Sequence, residues 1–164
     1  MMKSMQFGIN QTMSMKMTGD PDRHFTMMLK MHHQGAIEMA ELELKQGSDA
    51  PTKVLASRIK AVNQKEIKEL TQFLSRHKPI SSSSKLGQSA MKIMHSGNHS
   101  MNGKADHDFA SMMAQQHHQQ GVDMARAFLK EGKISTMKMM ANNVIKQQTK
   151  EIDELKKLET NLKE

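Results

Sequence analysis

The chain contains no cysteine, no tryptophan and no tyrosine, and only five phenylalanines and three prolines in 164 residues. Without cysteine, disulfides, iron–sulfur clusters and cysteine–zinc sites are excluded. The fold must then rest on burial alone, and a chain of this length can remove roughly 70% of its unfolded surface from water. Freedom from thiols suits an oxidising compartment without specifying one. No segment approaches the eighteen or so apolar residues of a membrane span, and Met1 to Gln11 has no apolar block suited to a signal peptide. An exported protein would therefore be represented here by its mature form. Period-two alternation and β-branched runs are also missing, so strands are not expected.

What the chain does have is sulfur and imidazole: 19 methionines and nine histidines. Its 24 basic and 17 acidic residues leave a net charge of +7, which favours solubility and attracts anions. Nucleic-acid binding is nonetheless not expected, because aromatic platforms and a clustered basic face are absent and lysines alternate with glutamates.

The sequence repeats itself at a constant offset of 85, without a gap, from Met27 to Leu155. Met27/Met112, Met28/Met113, His32/His117, His33/His118, Met39/Met124, Gly47/Gly132, Glu66/Glu151 and Leu70/Leu155 are among the identical pairs. One offset held through two helical patterns marks a duplication. Each copy reads as a helical hairpin. Asp20-Pro21 opens a helix that Gly47 closes, and Asp49 opens a second that runs to Phe73 and Leu74 before Pro79. In the second copy Asp106 starts a helix ending at Gly132, and Ser135 starts the last one. The expected fold is all-α: a ferritin-like four-helix bundle (20–164) made of two duplicated hairpins (20–78 and 106–164), preceded by a Met-rich arm (1–19). The linker (79–105) is long enough to cross the bundle and carries a candidate short helix over Lys85 to His95.

On a helical wheel His32 falls in the middle of the first apolar face, with Phe25, Met28, Ala36 and Met39 around it. His33 falls on one rim, and Met31 and His24 on the other. His117 is central in the second copy and His118 marginal. In the following helices Glu66 and Asn63, and their counterparts Glu151 and Gln148, lie near the centre of the apolar stripe. A carboxylate facing a core must be paired, and the expected partners are His32 and His117. Two readings stay open: a buried network that fixes helix register, or a constellation that binds metal directly.

Met27/Met31, Met28/His32 and Met113/His117 are i, i+4 pairs, which set two ligands side by side on one face. Thioether with imidazole suits Cu(I) or Ag(I), and sulfur is a poor ligand for Mg, Ca or Mn. Met39 and Met124 read as ordinary core packing. Met13, Met15 and Met17 in the arm have no packing role to explain them, and Met91, Met94, His95, His99 and Met101 in the linker have little; both groups are candidate capture sites.

The motif Met27-Met28-x3-His32-His33-Gln34-Gly35-Ala36-x2-Met39-Ala40, followed by Asn63-x2-Glu66-Ile67, resembles the CopM-like, Met/His-rich copper-binding proteins. These belong to a ferritin-like bacterial family first catalogued as a domain of unknown function. The resemblance covers Asp20 to Leu158. It implies a four-helix bundle, periplasmic or extracellular, that binds Cu(I), with Ag(I) as its surrogate, for copper resistance. It also implies copper ions as the partner, with no nucleic acid and no membrane. The second copy departs where Gln116 stands in place of Met31 and Gln120 in place of Gly35. An enzyme is not expected: the Glu-x-x-His of a di-iron oxidase does not occur, and no nucleophile signature is assembled. The nearer alternatives are a His-based Zn(II) or Cu(II) binder and a purely structural basic helical module.

Overall fold

The computed structural model describes residues 19–80, 84–94 and 101–162, and every element among them is helical. Helix α1 (Pro21–Gln46) begins at Asp20, whose carboxylate accepts from the Arg23 N–H at 3.1 Å. Helix α2 (Ala50–Arg76) begins at Asp49, which accepts from the Thr52 N–H at 2.8 Å and its hydroxyl at 2.6 Å. Both caps satisfy backbone donors that a helix start leaves unpaired. The linker carries the short helix α3 (Leu86–Met94). The third long helix is composite: α4 (Ala105–Met112), a π-helical turn (Met113–His118) and α5 (Gln119–Glu131). Helix α6 (Ser135–Asn161) completes the bundle.

Asp106 does not cap the helix it stands on. That helix starts at Ala105 with no side-chain cap, and the Asp106 carboxylate instead reaches the first hairpin's loop. There it accepts from the N–H groups of Ser48 (3.0 Å) and Asp49 (2.8 Å) and from the Ser48 hydroxyl (3.0 Å). Asp22, in the first turn of α1, does the same for the second hairpin's loop, accepting from Lys133 N–H at 3.0 Å and Ile134 N–H at 2.9 Å. Each hairpin thus closes the other's turn.

These contacts fix the topology. The start of α1 lies against the end of α5, and the start of α4 against the end of α1, so the two helices are antiparallel. Since α2 returns to the level where α1 begins, the linker must climb the whole bundle before α4 can start. It does so: Ser84 N–H bonds the Gly19 carbonyl at the lower end, the Gln120 amide reaches the Met94 carbonyl halfway, and Asn102 N–H meets Asp108 at the top. This is the long crossover of ferritin-like bundles.

The core is in two blocks. One holds Phe25, Met28, Leu29, Leu70, Leu86, Met124 and Phe128, with the Phe25 and Phe128 rings stacked at 4.2 Å. The other holds Met39, Ile59, Phe109, Met113 and Leu155. Between them, at residues 32–33, 63–66, 117–118 and 148–151, runs a polar layer.

Candidate functional site

At the centre of that layer the His32 and His117 rings stack on each other, centroids 3.7 Å apart and 25° from parallel. The His32 Nε2–H donates to the His117 carbonyl at 2.7 Å, and the His117 Nε2–H to the His32 carbonyl at 2.9 Å. The residues flanking the stack are small because the rings need the space. A Cβ on Gly121 would lie 2.7 Å from His32 Cε1 and 2.1 Å from Gln148 Oε1, and one on Gly35 would lie 3.3 Å from His117 Nε2. Gly35 and Gly121 are not related by the offset of 85. The π turn before residue 119 takes one more residue than an α turn to come round, so the glycine that meets the stack follows one position later. Gln120, which aligns with Gly35, is thereby freed for its bond to the linker.

The carboxylates pair with the outer histidines, not the central ones. His33 Nε2 stands 2.5 Å from Glu66 Oε2, and His118 Nε2 stands 2.8 Å from Glu151 Oε2. The expected pairing with His32 and His117 is corrected for a geometrical reason. Helix α2 packs against the flank of α1 on which His33 projects, so the position read as a rim is an interface, and His33 and His118 are wholly enclosed. Glu66 keeps 18% of its side chain exposed against 4% for Glu151. Asn63 donates its amide to the Ile59 carbonyl at 2.8 Å, and the buried amide oxygens of Asn63 and Gln148 have no hydrogen-bond partner.

Electrically the layer is neutral at its centre. Burial, and next the neighbouring His33, push the His32 imidazole down to about 3. Part of the His32 residue reaches the surface, but its ring is covered by His117 and the Gly121 backbone. The His117 imidazole is lowered well below the usual range by burial and by His32. Burial works to raise the Glu151 carboxyl, but the hydrogen bond and charge of His118, the Gln147 amide and Arg58 together outweigh it and hold the group below the ordinary value. With each Nε2 turned to a carbonyl or a carboxylate, the Nδ1 atoms of all four histidines are buried and have no hydrogen-bond partner. Among the described residues no three His, Asp or Glu side chains converge to hold a metal ion.

A model of the family described as Domain of unknown function (DUF305) matches residues 22–159. The chain belongs to this family. Solved structures of similar fold include CopM in the Ag-bound form (by soaking), with 27% identity and a TM-score of 0.66, covering 85% of this chain and 95% of that one. CopM in the Cu(I)-bound form gives 26% identity and a TM-score of 0.65, covering 86% and 96%. A DUF305 fragment from Deinococcus radiodurans has 18% identity and a TM-score of 0.66 over 86% and 96% of the two chains, a likeness of fold alone. No curated protein sequence matches the chain.

Within this DUF305 fold the methionines separate by exposure. Met27 and Met31 are half-buried on the outer flank of α1, while Met28, Met112 and Met113 are core residues. His24 is buried one turn below Met27. Met91 and Met94 are half-buried on α3, and Met101 is 44% exposed. Met13, Met15, Met17, His95 and His99 lie outside the described residues. The structure thus brings the four paired histidines into one layer and leaves Met27 and Met31 half-buried on the outer flank of α1, while Met139 on α6, 64% exposed, is the most accessible thioether among the described residues. No described helix is long and apolar enough to cross a membrane. Sequence reasoning gave Gly35 only as part of a motif and missed Gly121, although a glycine inside a helix, costing about 1 kcal/mol against alanine, signals a close approach. It also missed Glu43 and read Asp106 as an ordinary cap.

Proposed function

We propose that this protein binds Cu(I), and Ag(I) in its place, through methionine thioethers assisted by imidazoles, and sequesters copper in the periplasm or outside the cell. The observation that carries the reading is the likeness, over 85% of the chain, to CopM in Cu(I)-bound and Ag-bound forms. The ligand supply falls in three groups. Met27, Met28, Met31, His24, His32 and His33 belong to the first hairpin, and Met112, Met113, His117 and His118 to the second. Met13, Met15, Met17, Met91, Met94, His95, His99 and Met101 lie outside the hairpins. Thioethers suit Cu(I) because both partners are soft and because sulfur carries no proton to displace. The central imidazoles, held neutral, keep their Nδ1 lone pairs available for a metal.

The rival reading, a His-based Zn(II) or Cu(II) binder, would need several imidazoles or carboxylates converging on one point, and the described residues offer no such group. Anaerobic titration of the protein with Cu(I), beside Zn(II) and Cu(II), separates the two. Cu(I) is expected to bind far more tightly, with sulfur-edge absorption reporting thioether ligation and little pH dependence above pH 7. Zn(II) bound as tightly as Cu(I) would overturn the soft-metal reading.

A further inference from the structure

The linker helix and the first hairpin carry their half-buried methionines to the same place. Ser84 N–H bonds the Gly19 carbonyl at 3.3 Å, so α3 and α1 set out from a common point. Lys85 N–H bonds the Glu131 carboxylate at 3.1 Å, which fixes the foot of α3 to the end of α5. At its other end the Met94 carbonyl accepts from the Gln120 amide at 3.1 Å, and the adjacent Gly121 lies against the His32 ring. Helix α3 therefore runs parallel to α1 and packs against both α1 and α5. At 1.5 Å per residue it brings Met91 and Met94 to the height of Met27 and Met31.

The faces also agree. On α3, Leu86 and Ala90 are buried toward the bundle. Because the helix is right-handed and parallel to α1, the edge that carries Gly87, Met91 and Met94 turns toward α1 and away from α5. On α1, Met27 and Met31 stand on the flank away from α2, one turn apart, and it is there that the linker helix passes. The second hairpin has no counterpart among the described residues: Met112 is fully enclosed, position 116 is glutamine, and no second crossover helix is described.

We infer that Met27 and Met31 of α1, together with Met91 and Met94 of α3, form one composite thioether trough for a soft monovalent cation, Cu(I) or Ag(I). This rests on the copper reading above and names the assembly that carries its tightest described site. Two methionines on one helix offer two sulfurs. The crossover doubles that number without adding a charge, so a monovalent cation keeps its charge while losing its water.

The test compares Met27→Leu/Met31→Leu, Met91→Leu/Met94→Leu and the fourfold variant, leucine being close to methionine in volume. Each is titrated anaerobically with Cu(I) against a chromogenic chelator, and circular dichroism checks helix content. Each double variant should lose the same single equivalent, and the fourfold variant should lose no more. Two equivalents lost in the fourfold variant, or full capacity in Met91→Leu/Met94→Leu, would show separate sites and overturn the trough while the copper reading stands. A wild-type protein that takes up no Cu(I) would end both. The unaltered protein gives an independent check: copper-edge fine structure at one equivalent should count three or four sulfurs per copper, and two or fewer would refute a shared site.

Discussion

In the first hairpin the histidine pair stands on an uninterrupted α-helix with Met27 and Met31 half-buried beside it; in the second, the same pair stands on a π turn, flanked by the fully buried Met112 and Met113. The His–carboxylate contacts, the crossed carbonyl bonds and the loop-closing aspartates occur in both. What closes the bundle is therefore shared by the copies, and what faces outward is not. The glycines that end the paired helices show one difference inside the bundle, against side chains that are buried in both copies. A Cβ on Gly47 would lie 2.0 Å from the Glu43 carboxyl, and one on Gly132 would lie 2.3 Å from the Phe128 ring. Residues 43 and 128 are counterparts, one ionisable and one apolar.

The largest difference between the copies should come from their carboxylates. Glu151→Ala leaves the enclosed His118 Nε2 without its partner, and the expected loss is about 3 kcal/mol, roughly 6 to 12 °C in Tm. Glu66→Ala should cost less, because water can reach the vacated side of the more exposed pair. Equal losses in thermal unfolding would show that the two pairs are equally dry.

The glycines should give a smaller contrast. Gly121→Ala forces apart the Gln148 amide and the His32 ring, and overpacking of this kind costs about 2 kcal/mol. Gly35→Ala meets only His117 Nε2 at 3.3 Å, and the gain in helix propensity, about 1 kcal/mol, should offset most of the crowding. A destabilisation of Gly35→Ala matching that of Gly121→Ala would mean that the π turn opens no asymmetry around the stack.

A further contrast is a pH dependence centred on the contact between Glu43 of the first hairpin and Asp106 of the second. Burial, and then Asp106 beside it, raise the Glu43 carboxyl to about 8 from an ordinary 4.5. Its contribution to stability is therefore complete below about pH 4.5 and lost as pH rises through about 8. For Asp106, burial acts upward, but the N–H groups of Ser48 and Asp49 prevail and hold it at about 2. That contribution is complete above the ordinary 3.8 and lost as pH falls toward 2. Glu43→Gln should flatten the alkaline arm, raising Tm at pH 9 relative to wild type while changing little at pH 5. An unchanged alkaline arm would place its origin elsewhere.

The helices were legible because apolar spacing, Asp20-Pro21, Asp49 and the two closing glycines state them locally. The crossover was legible as a length, and the helix expected within it over Lys85 to His95 is described over Leu86–Met94. The partners of the carboxylates were not, since a wheel ranks residues by distance from one apolar centre while α1 has neighbours on several sides. His33 looks marginal to α1 and is central to the contact with α2. The π turn was also hidden: its sequence, Met113 to His118, runs in step with an ordinary α-helical segment of the first copy, and only the position of Gly121, one later than the counterpart of Gly35, betrays the wider turn. The meeting of α3 with α1 depends on the path of a linker between distant elements, which no local pattern encodes.

The crossed histidine bonds and exchanged aspartate clamps give this single chain the interior of a two-fold homodimer, with an isologous interface between its halves. In a true homodimer every substitution appears twice, once on each side of the axis. Joining the halves through the crossover turns their encounter into an intramolecular one at millimolar effective concentration, and it removes that constraint. One half can then keep Met31 at the surface while the other carries Gln116, and the connecting segment becomes a fifth element available for a single-sided role.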